Sequence, residues 1–135
     1  SVSICIRQNR YSEGKNKDHQ KSIQFTKDTI DYIYKSIEYI KKNVEKPKFF
    51  IWSNDLSNLN NYFNEDDYIF IDNKKNKSLN DFYLFNFCKH FIVGPTSFHW
   101  WGAWLNENPD KICIRPSNIN PSNNENFWPN DWISI

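Results

Sequence analysis

Apolar positions along the chain fall into short runs separated by stretches with helical spacing. Val2 to Arg7 (VSICIR) alternates and is rich in β-branched residues, which predicts a strand. A charged, polar loop follows from Gln8 to about Ser22. From Phe25 to Val44 the residues Ile30, Ile33, Ile37, Ile40 and Val44 recur at spacings of three and four, the stripe of an amphipathic helix. Thr26 is its expected cap, Asp28 suits the positive end of the dipole, and Lys41 and Lys42 suit the negative end. Lys48 to Trp52 (KFFIW), Tyr68 to Ile71 (YIFI), Phe91 to Val93 (FIV) and Lys111 to Arg115 (KICIR) read as further strands. Between them, helices are expected at Asp55 to Tyr62, at Leu79 to Lys89 behind a Ser78 cap, and at Phe98 to Leu105. The remainder, Pro116 to Ile135, is rich in Asn and Pro and reads as irregular, anchored by Trp128 and Trp132.

The resulting order is β-α-β-α-β-α-β-α-β. Nearly continuous apolar strands alternating with helices imply one α/β domain over residues 1–135: a Rossmann-like parallel sheet with helices on both faces. Such sheets take ligands at the carboxyl ends of their strands. That rule singles out the loops after Arg7, after Trp52 and after Val93. Arg7 can hold a phosphate through two parallel hydrogen bonds or stand as a solvated strand end. Ser53, Asn54 and Asp55 can cap the following helix or accept hydrogen bonds from a base or ribose. Gly94 to Ser97 (GPTS), opening a helix, can be an ordinary capped turn or an anion site of hydroxyls and helix N–H groups. His99, one step inside that helix, is more often structural in such a place than catalytic.

Composition narrows the chemistry. The net charge of +1 gives no basic field for nucleic acid. Cys5, Cys88 and Cys113 lie singly in apolar runs, as buried free thiols of a reducing compartment do. The chain has no glycine-rich dinucleotide fingerprint, Walker loop, nucleophile elbow or metal-ligand cluster. Asp66 and Asp67 read as a turn before a strand, so neither a metal nor another cofactor is expected. No run approaches the roughly 18 apolar residues of a membrane span. The chain contains no Met and opens at once on a strand, which reads as a domain of a longer protein whose upstream part is missing. Trp100, Trp101 and Trp104, at helical spacing, are expected in the core.

Three segments resemble, in order, the C-terminal part of bacterial alpha-1,2-fucosyltransferases, glycosyltransferase family 11. SICIRQNRY (Ser3 to Tyr11) resembles that family's HxRRGDY-like strand end. FFIWSNDLSNL (Phe49 to Leu59) resembles its FxFSDD segment. SLNDFYLFNFCKHFIVGPTSFHWWGAWLNENPDKICIRP (Ser78 to Pro116) resembles the region carrying its SSFSWWGAWL helix. The resemblance implies the C-terminal, donor-binding half of a GT-B-type enzyme. Fucose would pass from GDP-fucose to a galactose-type hydroxyl of a glycan acceptor, with inversion and without a metal. It makes Arg7 the catalytic arginine, at the donor phosphate. Ser53, Asn54 and Asp55 would lie near the nucleoside, and Thr96, Ser97, Phe98 and His99 near the diphosphate, with Cys5 and Arg10 also lining the donor site. It also implies a cytoplasmic protein, peripheral to the inner face of the membrane. Cys5 replaces the motif histidine, and Gln8, Asn9 and Arg10 replace its second arginine, glycine and acid. Asn54 stands at a usually acidic position, and Thr96 and His99 replace serines. These departures leave two alternatives beside the fucosyltransferase: a non-catalytic sugar-nucleotide or glycan-binding module, and a transferase for another sugar nucleotide.

Overall fold

In the computed structural model, which describes residues 1–64, 66–72 and 78–135, the sheet has six strands. They are β1 (Val2–Ile6), β2 (Phe49–Ser53), β3 (Tyr68–Phe70), β4 (His90–Ile92), β5 (Cys113–Arg115) and β6 (Ile133–Ser134). The helices are α1 (His19–Asn43), α2 (Ser78–Asn86) and α3 (Ser97–Leu105). The strand order is β3-β2-β1-β4-β5-β6, and every pairing is parallel. This is the doubly wound order of a Rossmann-like fold, with its reversal between β1 and β4.

The two-residue period of the strands divides the core. Ile4, Ile51, Ile92 and Ile114 face α1 and meet its buried stripe of Ile30, Ile33, Ile37 and Ile40. Trp52, Phe91, Val93 and Cys113 face the other way, toward Phe85 of α2 and Ala103 of α3. Both faces are therefore covered, which is why the strands read as apolar runs rather than as clean alternation.

Several boundaries depart from expectation. Helix α1 begins at His19, not Phe25, and Asp18 rather than Thr26 caps it, accepting from the Lys21 N–H at 2.9 Å. Its first turn is exposed and polar, so no apolar period marked it. The helix expected over Asp55 to Tyr62 shrinks to a 3₁₀ turn at Leu59–Asn61. There the Asp55 carboxylate accepts from the Ser57 N–H and hydroxyl, and Asn58 sits at φ 64 in the left-handed region, which breaks helical continuity. The expected cap at Ser78 falls on a side chain outside the described ones.

The irregular tail expected after Pro116 ends in β6, which pairs Ile133 with Ile114 and Ser134 with Arg115. Trp128 and Trp132 are buried and do anchor that tail. Cys88 and Cys113 are buried, Cys5 is half-buried, and all three are free. Among the described residues no helix is long and apolar enough to cross a membrane.

Candidate functional site

A cleft of about 1130 Å³ opens over the carboxyl ends of β1, β2 and β3 and the turn after β4. Its floor is Cys5, Ile6 and Trp52. One wall carries Arg7 and Arg10, and the second carries Ser53, Asn54, Asp55 and Leu56. The turn into α3 supplies Pro95, Thr96, Ser97 and Phe98. The three strand-end loops singled out in the sequence thus meet around one space. The strand order explains why: the chain leaves β1 and β4 in opposite directions, and the gap between their connections remains open.

Cross-ties fix the walls. Gln8 N–H donates to Asn54 Oδ1 at 2.8 Å, and Asn54 Nδ2 returns a bond to the Gln8 carbonyl at 3.2 Å. Gln8 Nε2 donates to the Asp55 carbonyl at 2.5 Å, and Asn9 Nδ2 reaches the Asp55 carboxylate at 3.4 Å. Gln8 and Asn9, which replace an arginine and a glycine of the resembling motif, therefore lock the first loop to the second. Asn9 itself adopts φ 57, a left-handed conformation that Asn tolerates. The hydroxyl and N–H of Ser57 hold the Asp55 carboxyl below its ordinary range.

Arg7 pairs with Glu13 at 2.7 Å, with its side chain 36% exposed. Thr96 caps α3: its hydroxyl accepts from the His99 N–H at 3.3 Å, and its carbonyl accepts from the Trp100 N–H at 3.1 Å. The helix itself supplies no acceptor for the N–H groups of Ser97 and Phe98. An arginine and a helix N-terminus thus line the same cleft, two positive features suited to an anion. Burial pushes the Cys5 thiol up to about 12, against an opposing hydrogen bond with Thr96. At neutral pH it is therefore a neutral thiol and no nucleophile.

His99 lies behind the cleft rather than in it, fully buried. Its Nδ1 accepts from the Gly94 N–H at 3.0 Å. The remaining ring N–H, on Nε2, then donates to Ser3 Oγ at 2.8 Å. Both nitrogens are spent on the backbone turn and on β1, so its role is to hold the Gly94 turn in place. Burial lowers its pKa from 6.5 to about 3. Between those values the unfolded chain binds a proton that the folded chain refuses. Stability is therefore expected to fall as pH drops from about 6.5 toward 3, by up to about 1.4 kcal/mol per pH unit from this group. Urea midpoints taken from pH 7 to pH 4 should fall more steeply for the native protein than for His99→Gln. Parallel curves would mean that His99 is not held neutral.

The expected tryptophan core needs correction. Trp101 and Trp104 are about half exposed, at 51% and 49%. The buried face of α3 is His99, Gly102 and Ala103. Gly102 sits against the Phe85 ring, where a Cβ would lie 1.9 Å from a ring carbon, so the two helices touch through a glycine instead of an indole. Trp100 is partly buried, donates its indole N–H to the Phe127 carbonyl at 3.0 Å, and stacks on Trp104.

Other cleft residues went unmarked in the sequence. Ile71 and Asp72 follow β3, Asp81 and Phe85 come from α2, and Pro121, Ser122 and Phe127 come from the tail. Asp81 stands in the first turn of α2, where an acid also suits the helix dipole. Yet α2 also rises from the carboxyl side of the sheet, so the strand-end rule covers its start as well. Among the described residues no three His, Cys, Asp or Glu side chains gather as metal ligands.

A doubly wound parallel sheet with an anion-ready cleft at its point of reversal is the architecture of nucleotide-binding α/β domains. The whole chain, residues 1–135, matches the family model for glycosyl transferase family 11. It is 32% identical over 109 residues to an O-antigen biosynthesis glycosyltransferase, WbnK, of Escherichia coli, covering 78% of this chain and 36% of that protein. It is 32% identical over 115 residues to an alpha-1,2-colitosyltransferase of Escherichia coli, covering 79% of this chain and 39% of that protein. No solved structure matches it significantly. The chain belongs to glycosyl transferase family 11, and it spans less than two fifths of the length of these curated relatives.

Proposed function

We propose that this chain is the donor-binding part of a glycosyltransferase, and that its cleft holds the nucleoside diphosphate of GDP-fucose. The observation that carries this reading is that Arg7 and the first turn of α3 line one cleft, where the helix itself supplies no acceptor for the N–H groups of Ser97 and Phe98. A diphosphate seated between them would displace Glu13 from Arg7 and accept from both sides. As the glycosidic bond breaks, negative charge grows on the departing phosphate. Fixed donors at that point lower the barrier because they gain strength as the charge develops. No step of this kind needs a metal if arginine and helix dipole carry the charge, and the fucosyl group would pass to a glycan hydroxyl with inversion.

The base is the less constrained end. Asp72 and Asp81 line the cleft, as do Trp52 and Phe85. The resemblance to fucosyltransferases is what favours GDP over UDP. A second reading is a transferase for another sugar nucleotide. It draws support from the relative named as an alpha-1,2-colitosyltransferase and from the altered residues Cys5 and Arg10. Calorimetric titration of the complete protein with GDP- and UDP-sugars separates these. Tight binding of GDP and GDP-fucose, at least tenfold stronger than UDP counterparts, is the expected result. Preference for any donor other than GDP-fucose would move the assignment to the second reading, and no binding of any sugar nucleotide would leave only a non-catalytic module.

A further inference from the structure

Arg10 stands in the cleft wall, yet its guanidinium is turned to other work. Nη1 donates to the Pro95 carbonyl at 2.9 Å, and Nη2 donates to the Pro121 carbonyl at 3.3 Å. The guanidinium carbon lies 5.4 Å from the centre of the Phe25 ring and 5.9 Å from that of Tyr11. One side chain thus joins the β1 loop, helix α1, the turn that opens α3, and the tail. Phe127, Trp128, Trp132 and β6 anchor the later part of the tail, beyond Pro121. Between residues 118 and 126, its other hydrogen bonds among the described residues stay within the tail: Trp128 Nε1 to the Ile119 carbonyl and Asn120 Nδ2 to the Asn124 carbonyl are examples. Pro121 and Ser122 nonetheless form part of the cleft wall.

We infer that Arg10 is a positioning residue, a clamp that sets the tail segment against the α3 turn and so shapes the side of the donor cleft. This rests on the donor-cleft reading above. A planar fork is what the geometry requires. Two carbonyls on different segments accept from two terminal nitrogens while the flat face rests on aromatic rings. Lysine would keep the charge but lose the planar fork and its flat contact with the two rings, so a single ammonium would have to reach both carbonyls from one point. The clamp therefore separates shape from charge, and the two are experimentally distinct.

The test uses the complete protein as wild type, Arg10→Lys and Arg10→Gln, with thermal midpoints confirming that each is folded. GDP is titrated at several salt concentrations, and cleavage after Glu125 by a glutamate-specific protease is timed without ligand. A clamp predicts that Lys and Gln both fall short of the fork, with GDP affinity at least tenfold weaker in both. It predicts the same salt dependence in all three proteins, because no phosphate contact is lost. It also predicts cleavage after Glu125 several-fold faster in both variants. Near-native affinity in Arg10→Lys, with weaker and less salt-sensitive binding in Arg10→Gln, would overturn it in favour of direct phosphate contact. Cleavage at the wild-type rate in both variants would overturn it too. If the wild type binds no guanine nucleotide, the donor reading fails, and the cleavage rates still decide whether Arg10 holds the tail.

Discussion

Gly94→Ala is expected to destabilise the fold by more than about 3 kcal/mol, which is a large share of a domain's stability. The added Cβ would lie 2.2 Å from the Cys5 carbonyl oxygen and 3.1 Å from its carbonyl carbon. Those atoms are backbone, so no side-chain rotation relieves the overlap. Gly94 has no positive φ, and the constraint is space alone. β1 and β4 are neighbours at the reversal of the sheet, and the turn after β4 crosses directly over the end of β1. Separating them would also pull the Gly94 N–H from His99 Nδ1. The measurement is the urea midpoint of Gly94→Ala beside wild type. A midpoint within experimental error of wild type would show that the turn and the strand do not meet this closely.

Arg7→Ala is expected to reduce kcat/KM of the complete transferase by about 10²–10³-fold, the usual cost of removing one positioned donor from a developing oxyanion. The loss should appear in kcat as well as in KM, because the charge that Arg7 offsets grows during bond cleavage. Arg7→Lys should recover only part of it, since lysine keeps a point charge and loses the two-pronged geometry. Folding should be little affected: the side chain is 36% exposed and its partner, Glu13, is a surface residue. Turnover within threefold of wild type would place the phosphates elsewhere.

Much of this fold was legible because its strands are buried on both faces and its longest helix is amphipathic. The five apolar runs became β1 to β5, and the Ile30 to Ile40 stripe packs as its period requires. What escaped lacks a periodic signal. The opening turn of α1 is polar and announces itself only through Asp18. β6 is two residues at the end of an Asn-rich tail, and pairing with β5, not propensity, makes it a strand. The tryptophans misled for a related reason. Helical spacing identifies a face, but Gly102 and Ala103 allow α2 to approach α3 on one side, and that leaves Trp101 and Trp104 outside.

The cleft shows the same division. Its strand-end loops were readable from topology alone, including Arg7, Asp55 and the turn from Gly94 to Ser97. His99 reads from its place as more often structural, and the structure makes it so, buried between Ser3 and Gly94, whereas the resemblance alone set it near the diphosphate. Pro121, Ser122 and Phe127 reach the cleft from a segment with no secondary structure to predict, drawn in by contacts that sequence spacing does not encode.

The most direct test is to observe where a nucleoside diphosphate sits. Amide chemical shifts of the protein should be followed as GDP is added. The N–H groups of Ser97 and Phe98 and the side-chain Nε–H of Arg7 should move first and saturate together, with smaller shifts at Asn54 and Asp55. Saturating shifts confined to the other end of the sheet, around Asn86 to Asp110, with Ser97 and Arg7 unmoved, would contradict a diphosphate site at the reversal between β1 and β4.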